Sequence, residues 1–123
     1  MATITVTADN HDATITSKDI VILDFWAEWC GPCKMFGPIF EAASEKHEDI
    51  AFGKVDTDAE QKLAGGYGIR SIPSVVVYRG GIPIHMQPGA LRPADLENLI
   101  EQVRNLNMDE VKAEIAKREA AQG

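Results

Sequence analysis

The five residues Trp29-Cys30-Gly31-Pro32-Cys33 constrain the fold of this 123-residue chain more tightly than any other stretch, and they hold both of its cysteines. They follow an apolar run over 21–26 and precede an amphipathic run that begins at Lys34. Two thiols at Cys-x-x-Cys spacing reach each other only if the backbone between them turns tightly, and Gly31-Pro32 supplies such a turn. Side chains three apart on a helix stand about 5–6 Å apart at Cβ, whereas a disulfide needs about 3.8 Å, so the first helical turn has to tighten. Pro32 has no N–H to lose and a φ near the helical value, so it suits the first helical position and leaves Cys30 just outside as a cap. The motif therefore demands a strand, a turn and a helix in that order.

A thiolate at a helix N-terminus faces unpaired backbone N–H groups and the positive end of the helix dipole, which lowers its pKa. Cys30 is the expected nucleophile. Cys33, one turn further in and better shielded, is the expected resolving thiol, placed to attack a mixed disulfide once Cys30 has formed it.

With 45% hydrophobic residues the chain can bury one core and is too short for two full domains. Its formal charge of −7 disfavours nucleic acid or an anionic membrane surface as a partner. Residues 1–12 lack a basic segment followed by an apolar one, so no secretory signal is expected, and no segment reaches membrane-spanning length. Two cysteines at redox-motif spacing fit a reducing cytosol better than a disulfide-framed secreted scaffold.

Along the chain, strands and helices alternate. Residues 3–7 read as a short strand and 19–26 as a buried one, while 10–15 is ambiguous. From Cys33, the apolar residues Phe36, Ile39, Phe40 and Ala43 recur at helical spacing, which predicts a helix ending near His47 with a kink at Pro38. Residues 50–55 read as a strand, 60–64 as a short helix stopped by Gly65-Gly66, and 75–78 as a further buried strand. Gly80-Gly81 predicts a hairpin returning over 82–87, followed by a helix over 93–104. Such an order argues for a mixed sheet with helices on both faces.

The stretch Asp24-Phe25-Trp26-Ala27-Glu28-Trp29-Cys30-Gly31-Pro32-Cys33-Lys34-Met35, with Tyr67-Gly68-Ile69-Arg70, Ile72-Pro73 and Pro88-Gly89-Ala90 in the same order, resembles the thioredoxin family in its bacterial form. The resemblance covers residues 3–106. It implies a thioredoxin fold, an α/β architecture with a central five-stranded mixed sheet. It implies a buried Asp24 that accepts the proton of Cys33, with Lys54 facing that carboxylate. Position supports the first of these, because Asp24 interrupts an apolar strand and an ionisable group there needs a partner or a function. The resemblance further implies a cis peptide at Ile72-Pro73 and an apolar docking surface of Trp29, Gly31, Pro32, Ile72, Pro73 and Gly89. Thioredoxins hold the nucleophilic thiol at a pKa of about 7, a value characteristic of the family. Nucleophilicity falls with basicity, so this leaves only a few-fold gain in reactivity at pH 7. Most of the rate advantage has to come from holding Cys33 and the target beside Cys30.

Other residues point less strongly to function. His11, His47 and His85 lie in different elements without ligand-like spacing, and Tyr67 and Tyr78 read as packing residues. Two cysteines are too few for a structural zinc in one chain, and Lys34 stands where covalent haem attachment needs histidine. A cluster bridging two subunits remains open, as does a thioredoxin-like binding subunit with an incidental motif. Gly37, Ser71 and Pro88 depart from the family pattern, the last two beside the docking surface.

The chain divides into a domain over 1–106 and an extension over 107–123. Asp109, Glu110 and Glu114 precede Lys112, Lys117 and Arg118, and Asn107 is a candidate cap, so a short helix with a frayed end is expected, with a solvated tail as the alternative. Together the residues and the resemblance imply a cytoplasmic, monomeric dithiol/disulfide oxidoreductase acting mainly as a protein-disulfide reductant. Its expected partners are disulfide-containing clients and a reductase flavoprotein. The chain has no nucleotide fingerprint, so neither a bound cofactor nor a metal is expected.

Overall fold

The computed structural model describes residues 2–122. In chain order the elements are β1 (Thr3–Thr5), α1 (His11–Ile15), β2 (Ile20–Trp26), α2 (Gly31–Lys46), β3 (Ile50–Asp56), α3 (Gln61–Gly66), β4 (Ser74–Arg79), β5 (Ile82–Pro88), α4 (Pro93–Arg104) and α5 (Met108–Gln122). The strands form one five-stranded sheet in the order β1-β3-β2-β4-β5. The pairs β1/β3 and β3/β2 are parallel, and β2/β4 and β4/β5 are antiparallel. This is the mixed sheet that the alternation of elements implied.

The apolar run of β2, broken only by Asp24, is explained by burial on both of its faces. Ile20 and Ile22 pack with Phe36 and Phe40 of α2 and with Leu96, Ile100 and Val103 of α4. On the other face Val21, Leu23 and Phe25 pack with Val6, Ala64 and Tyr78 and with the partly buried Ile15, Leu63 and Tyr67 around α1 and α3. Gly53 in β3 permits the close approach on that second face, since a Cβ there would lie 2.6 Å from Val6 Cγ2 and 2.8 Å from Leu23 Cδ2. The histidine that caps the C-terminus of α2 ties that helix to α4: His47 Nε2 lies 2.8 Å from Glu97, while Arg104 lies 3.1 Å from His47 Nδ1 and pairs with Asp49.

Three segments differ from the sequence reading. The ambiguous residues form the short helix α1, entered through Asn10, whose Oδ1 accepts the Thr7 N–H at 2.8 Å and whose Nδ2 donates to the Thr5 carbonyl at 2.8 Å. Helix α3 ends at the Gly65-Gly66 pair but takes in both glycines, two residues further than expected, and closes on Tyr67, whose N–H reaches the carbonyls of Leu63 and Ala64. The extension is not short, because α5 spans 15 residues, with the Asn107 side chain accepting the Glu110 N–H at 3.1 Å.

No residue of α5 is buried. Met108, Val111 and Ile115 are half-buried, and the last two line a cleft of about 490 Å³ with Pro83, Ile84 and Leu106. Such partial burial barely offsets the ordering of a long exposed helix. Truncation after Leu106 is therefore expected to lower stability by less than about 1 kcal/mol, a shift of a few degrees in thermal unfolding. A loss several times larger would make the extension part of the core.

Candidate active site

The dithiol lies where β2 hands over to α2. Thr57 anchors the end of β2, its N–H and its Oγ1 both donating to the Trp26 carbonyl at 2.9 and 3.1 Å. The chain then turns, with the Cys30 N–H on the Ala27 carbonyl at 3.2 Å. Helix α2 begins at Gly31, one residue earlier than Pro32 at its first position would require, so Pro32 falls in the first turn and Cys30 is the N-cap. Cys30 Sγ accepts the Cys33 N–H at 3.2 Å. An unpaired helix donor thus points at the sulfur, the geometry that stabilises a thiolate. Cys30 and Cys33 are joined as a disulfide with their Cα atoms 5.2 Å apart.

As whole residues the two cysteines are about equally buried, Cys30 4% and Cys33 5% exposed. What separates them is their surroundings. Cys30 Sγ lies 3.7 Å from the Ile72 carbonyl oxygen, on the side where the chain meets solvent. Cys33 lines a pocket of about 410 Å³ behind the motif, with Trp26, Gly37, Pro38, Glu41 and Lys54.

Asp24 belongs to the face of β2 turned toward that pocket. It alternates with Ile22 and Trp26, and its partner in the parallel register is Lys54. The side chain is 1% exposed and its Oδ1 has no hydrogen-bond partner. Burial pushes the carboxyl up to about 7, and the Lys54 ammonium opposes this only in part. At neutral pH Asp24 is thus poised to take up or release a proton. Lys54 Nζ lies over the Trp26 ring, 5.2 Å from its centroid.

The remaining expected residues converge on the exposed side of the disulfide. The Ile72-Pro73 peptide is cis, and the Pro73 carbonyl accepts the Gly89 N–H at 2.7 Å. Gly89 has φ 97°, a conformation that glycine alone adopts without strain. Gly31 and Pro32 are exposed, and Trp29 is 71% exposed. Trp29 and Ile72 also wall a groove of about 320 Å³ with Ile69, Arg70 and Ser71. Of the expected residues, Cys33 and Lys54 thus line the pocket, Asp24 is buried on β2 in register with Lys54, and the others surround the exposed side of the disulfide.

Two contributions were missed in the sequence. Asp58 Oδ2 accepts the Trp29 indole N–H at 3.0 Å, and Asp56 Oδ1 accepts the Asp58 N–H at 2.9 Å, so the end of β3 holds the exposed indole in place. An Asp-x-Asp pair closing a strand was the available signal. The second is the polar end of Trp26, a residue that reads as core and that the family resemblance sets against the active-site loop: its buried indole N–H has no protein partner. Its position two residues after Asp24 on the same strand face was readable from period-2 alternation. Among the described residues, no three His, Cys, Asp or Glu side chains gather as a metal site, and no helix is long and apolar enough to cross a membrane.

The thioredoxin family model matches residues 2–102. A Streptomyces coelicolor protein assigned as thioredoxin 2 is 48% identical over 122 residues, covering 99% of this chain and 91% of that one. Among solved structures, a mutant thioredoxin of Halobacterium salinarum superposes with a TM-score of 0.79 at 34% identity, over 85% of this chain and 92% of that one. A thioredoxin of Plasmodium falciparum gives 0.74 at 36% identity, over 80% and 96%. A helix-capping Cys30 joined to Cys33, together with this kinship, makes the chain a member of the thioredoxin family and a dithiol/disulfide oxidoreductase with protein-disulfide reductase activity.

Proposed function

We propose that the protein acts mainly as a reductant in the cytoplasm, as a monomer, with residues 1–106 as the working domain and 107–123 as an appended helix. The observation that carries the assignment of roles is Asp24, a buried carboxyl with a pKa near 7 on the strand face below the disulfide. In the reduced protein the Cys30 thiolate attacks one sulfur of a client disulfide. The other client sulfur leaves as a thiolate and is protonated from solvent. Cys33 then gives its proton to Asp24 and its sulfur attacks Cys30 Sγ, releasing the second client sulfur as a thiolate. The client ends two electrons reduced and the Cys30/Cys33 pair two electrons oxidised.

Lys54 keeps the ionised form of Asp24 accessible by opposing the cost of burial. Trp29, Gly31, Pro32, Ile72, Pro73 and Gly89 supply the docking surface, with the backbone around the cis peptide available to pair with an extended client segment. Disulfide-containing proteins are the substrates that family membership implies, together with a reductase that restores the dithiol. An NADPH-dependent flavoprotein is the reductase we propose. The direction of function is tested by the reduction potential, measured by equilibration with a reference dithiol couple. A value near the family's about −270 mV is expected, whereas one near the about −180 mV of a disulfide isomerase would reverse the assignment.

A further inference from the structure

Both tyrosines of the chain meet on the α1/α3 face of the sheet, in the cluster that holds Val21, Leu23 and Phe25. They are joined by more than packing. Tyr67 Oη lies 2.5 Å from Tyr78 Oη and is hydrogen-bonded on its other side to His11 Nε2, while His11 Nδ1 lies 2.9 Å from Asp12 Oδ1. A carboxylate only accepts, so in the neutral imidazole Nδ1 carries the hydrogen and Nε2 receives one from Tyr67. The Tyr67 oxygen then accepts from Tyr78. One hydroxyl thereby ties three elements: α1 through His11, β4 through Tyr78, and the end of α3, which Tyr67 caps. The His11 side chain is 15% exposed and Tyr78 is buried, so these bonds act in a low dielectric. Burial also pushes the Tyr67 phenol well above its usual range, so it keeps its hydrogen.

This anchor stands at the root of the segment that leads to the docking surface. Gly68, at φ 70°, turns the chain directly after Tyr67, and the backbone runs on through Ile69, Arg70, Ser71 and Ile72 to the cis peptide. Among the described residues, its last backbone bond before that peptide is from the Ile69 N–H to the Ala64 carbonyl, at 3.2 Å. Beyond it lie the wall of the groove beside Trp29 and the Ile72 carbonyl next to Cys30 Sγ. We propose that Tyr67 is a positioning residue for client binding, its hydroxyl, held between His11 and Tyr78, fixing the backbone of 68–72 where an extended client segment pairs with it. The inference rests on the docking surface assigned above. Tyr67 acts through the loop, since its own partners are Phe25, His11 and Tyr78 and it lines a separate cleft with Lys62, Leu63 and Gly66.

Tyr67→Phe keeps the ring on Phe25 and removes the hydroxyl. It is expected to raise KM for a disulfide-bonded protein about fivefold, the scale of one net hydrogen bond, with kcat unchanged, because docking is made equally in the bound client and in the transition state. Reduction of a small aromatic disulfide, which has no extended segment to pair, should keep its rate. In the oxidised variant the Gly68 and Ile69 amides should exchange about fivefold faster through local opening, a readout that needs no turnover. His11→Phe removes the acceptor on α1 and is expected to give the same pattern, so it decides the matter if Tyr67→Phe folds poorly. Ile72→Ala truncates the docking surface itself and separates the two readings. If it raises KM while Tyr67→Phe and His11→Phe do not, the docking surface stands and the anchor is overturned; if none of the three changes KM, both are overturned. Loop amides that exchange at the native rate, or a small disulfide slowed as much as the protein client, also overturn the proposal.

Discussion

Cys33→Ser, with Cys30 intact, is expected to convert the protein from a turnover catalyst into a trap. The Cys30 thiolate still receives the N–H of residue 33 and still sits on the docking surface, so it attacks client disulfides at close to its normal rate. The mixed disulfide then has no neighbouring thiol to resolve it and accumulates as a covalent adduct, visible on non-reducing gels and released by small thiols. Cys30→Ser is expected to form no adduct, and turnover on a disulfide-bonded protein should fall by at least about a thousandfold, the scale on which loss of a nucleophile acts. The two variants therefore fail differently, although the two residues are about equally buried. Adducts on Cys33 in the Cys30→Ser protein would reverse the roles.

Asp24→Asn is expected to stabilise the protein while impairing it. The carboxyl has its pKa raised from 3.8 to about 7 in the folded state. A raised acid is neutral in both states below the unfolded value and contributes no penalty there. As pH rises above 3.8 the unfolded chain ionises while the folded protein resists, and the native state loses stability up to the folded pKa. Above about 7 the accumulated cost is about 4 kcal/mol. Asparagine removes it, so the variant should match the native protein near pH 4 and exceed it by about 2–4 kcal/mol near pH 9 in denaturant unfolding. The resolving step should slow at the same time, because the carboxyl proposed to accept the Cys33 proton is then replaced by an amide. A stability difference that does not change with pH would remove the basis for assigning Asp24 a proton-transfer role.

The sequence revealed most of what local chemistry controls. Gly31-Pro32 made the tight turn and the helix start legible, and the apolar run ending in Asp24-Phe25-Trp26 marked a strand buried on both faces with one ionisable group inside. Where tertiary contacts decide, local signals were less exact. Gly65-Gly66 read as a stop after Ala64, and α3 does end at Gly66, taking in both glycines before it closes on Tyr67, whose ring packs edge-on against Phe25 at 5.0 Å. The entry to α1 depends on bonds from the Asn10 side chain to residues three and five positions back, which no helical periodicity records. The site was legible as a set of residue types. Its division into an exposed docking face and a separate pocket behind the motif was not, because that division comes from the register of Asp24 against Lys54 and from which face of β2 meets α2.

The antiparallel pairing of β4 with β5 separates the molecule into two poles. Ser74 pairs with Pro88 beside the cis peptide, and Arg79 pairs with Ile82 at the hairpin about 17 Å away. Helix α5 rests on Pro83 and Ile84, near the hairpin, and the end of α4 is held there too, with Arg79 donating to the Val103 carbonyl at 2.6 Å. The appended helix is thus a natural handle. A cargo or a surface joined through it would leave the redox face pointing outward, so that the protein could be immobilised or fused at this end without hiding the dithiol from the proteins it reduces.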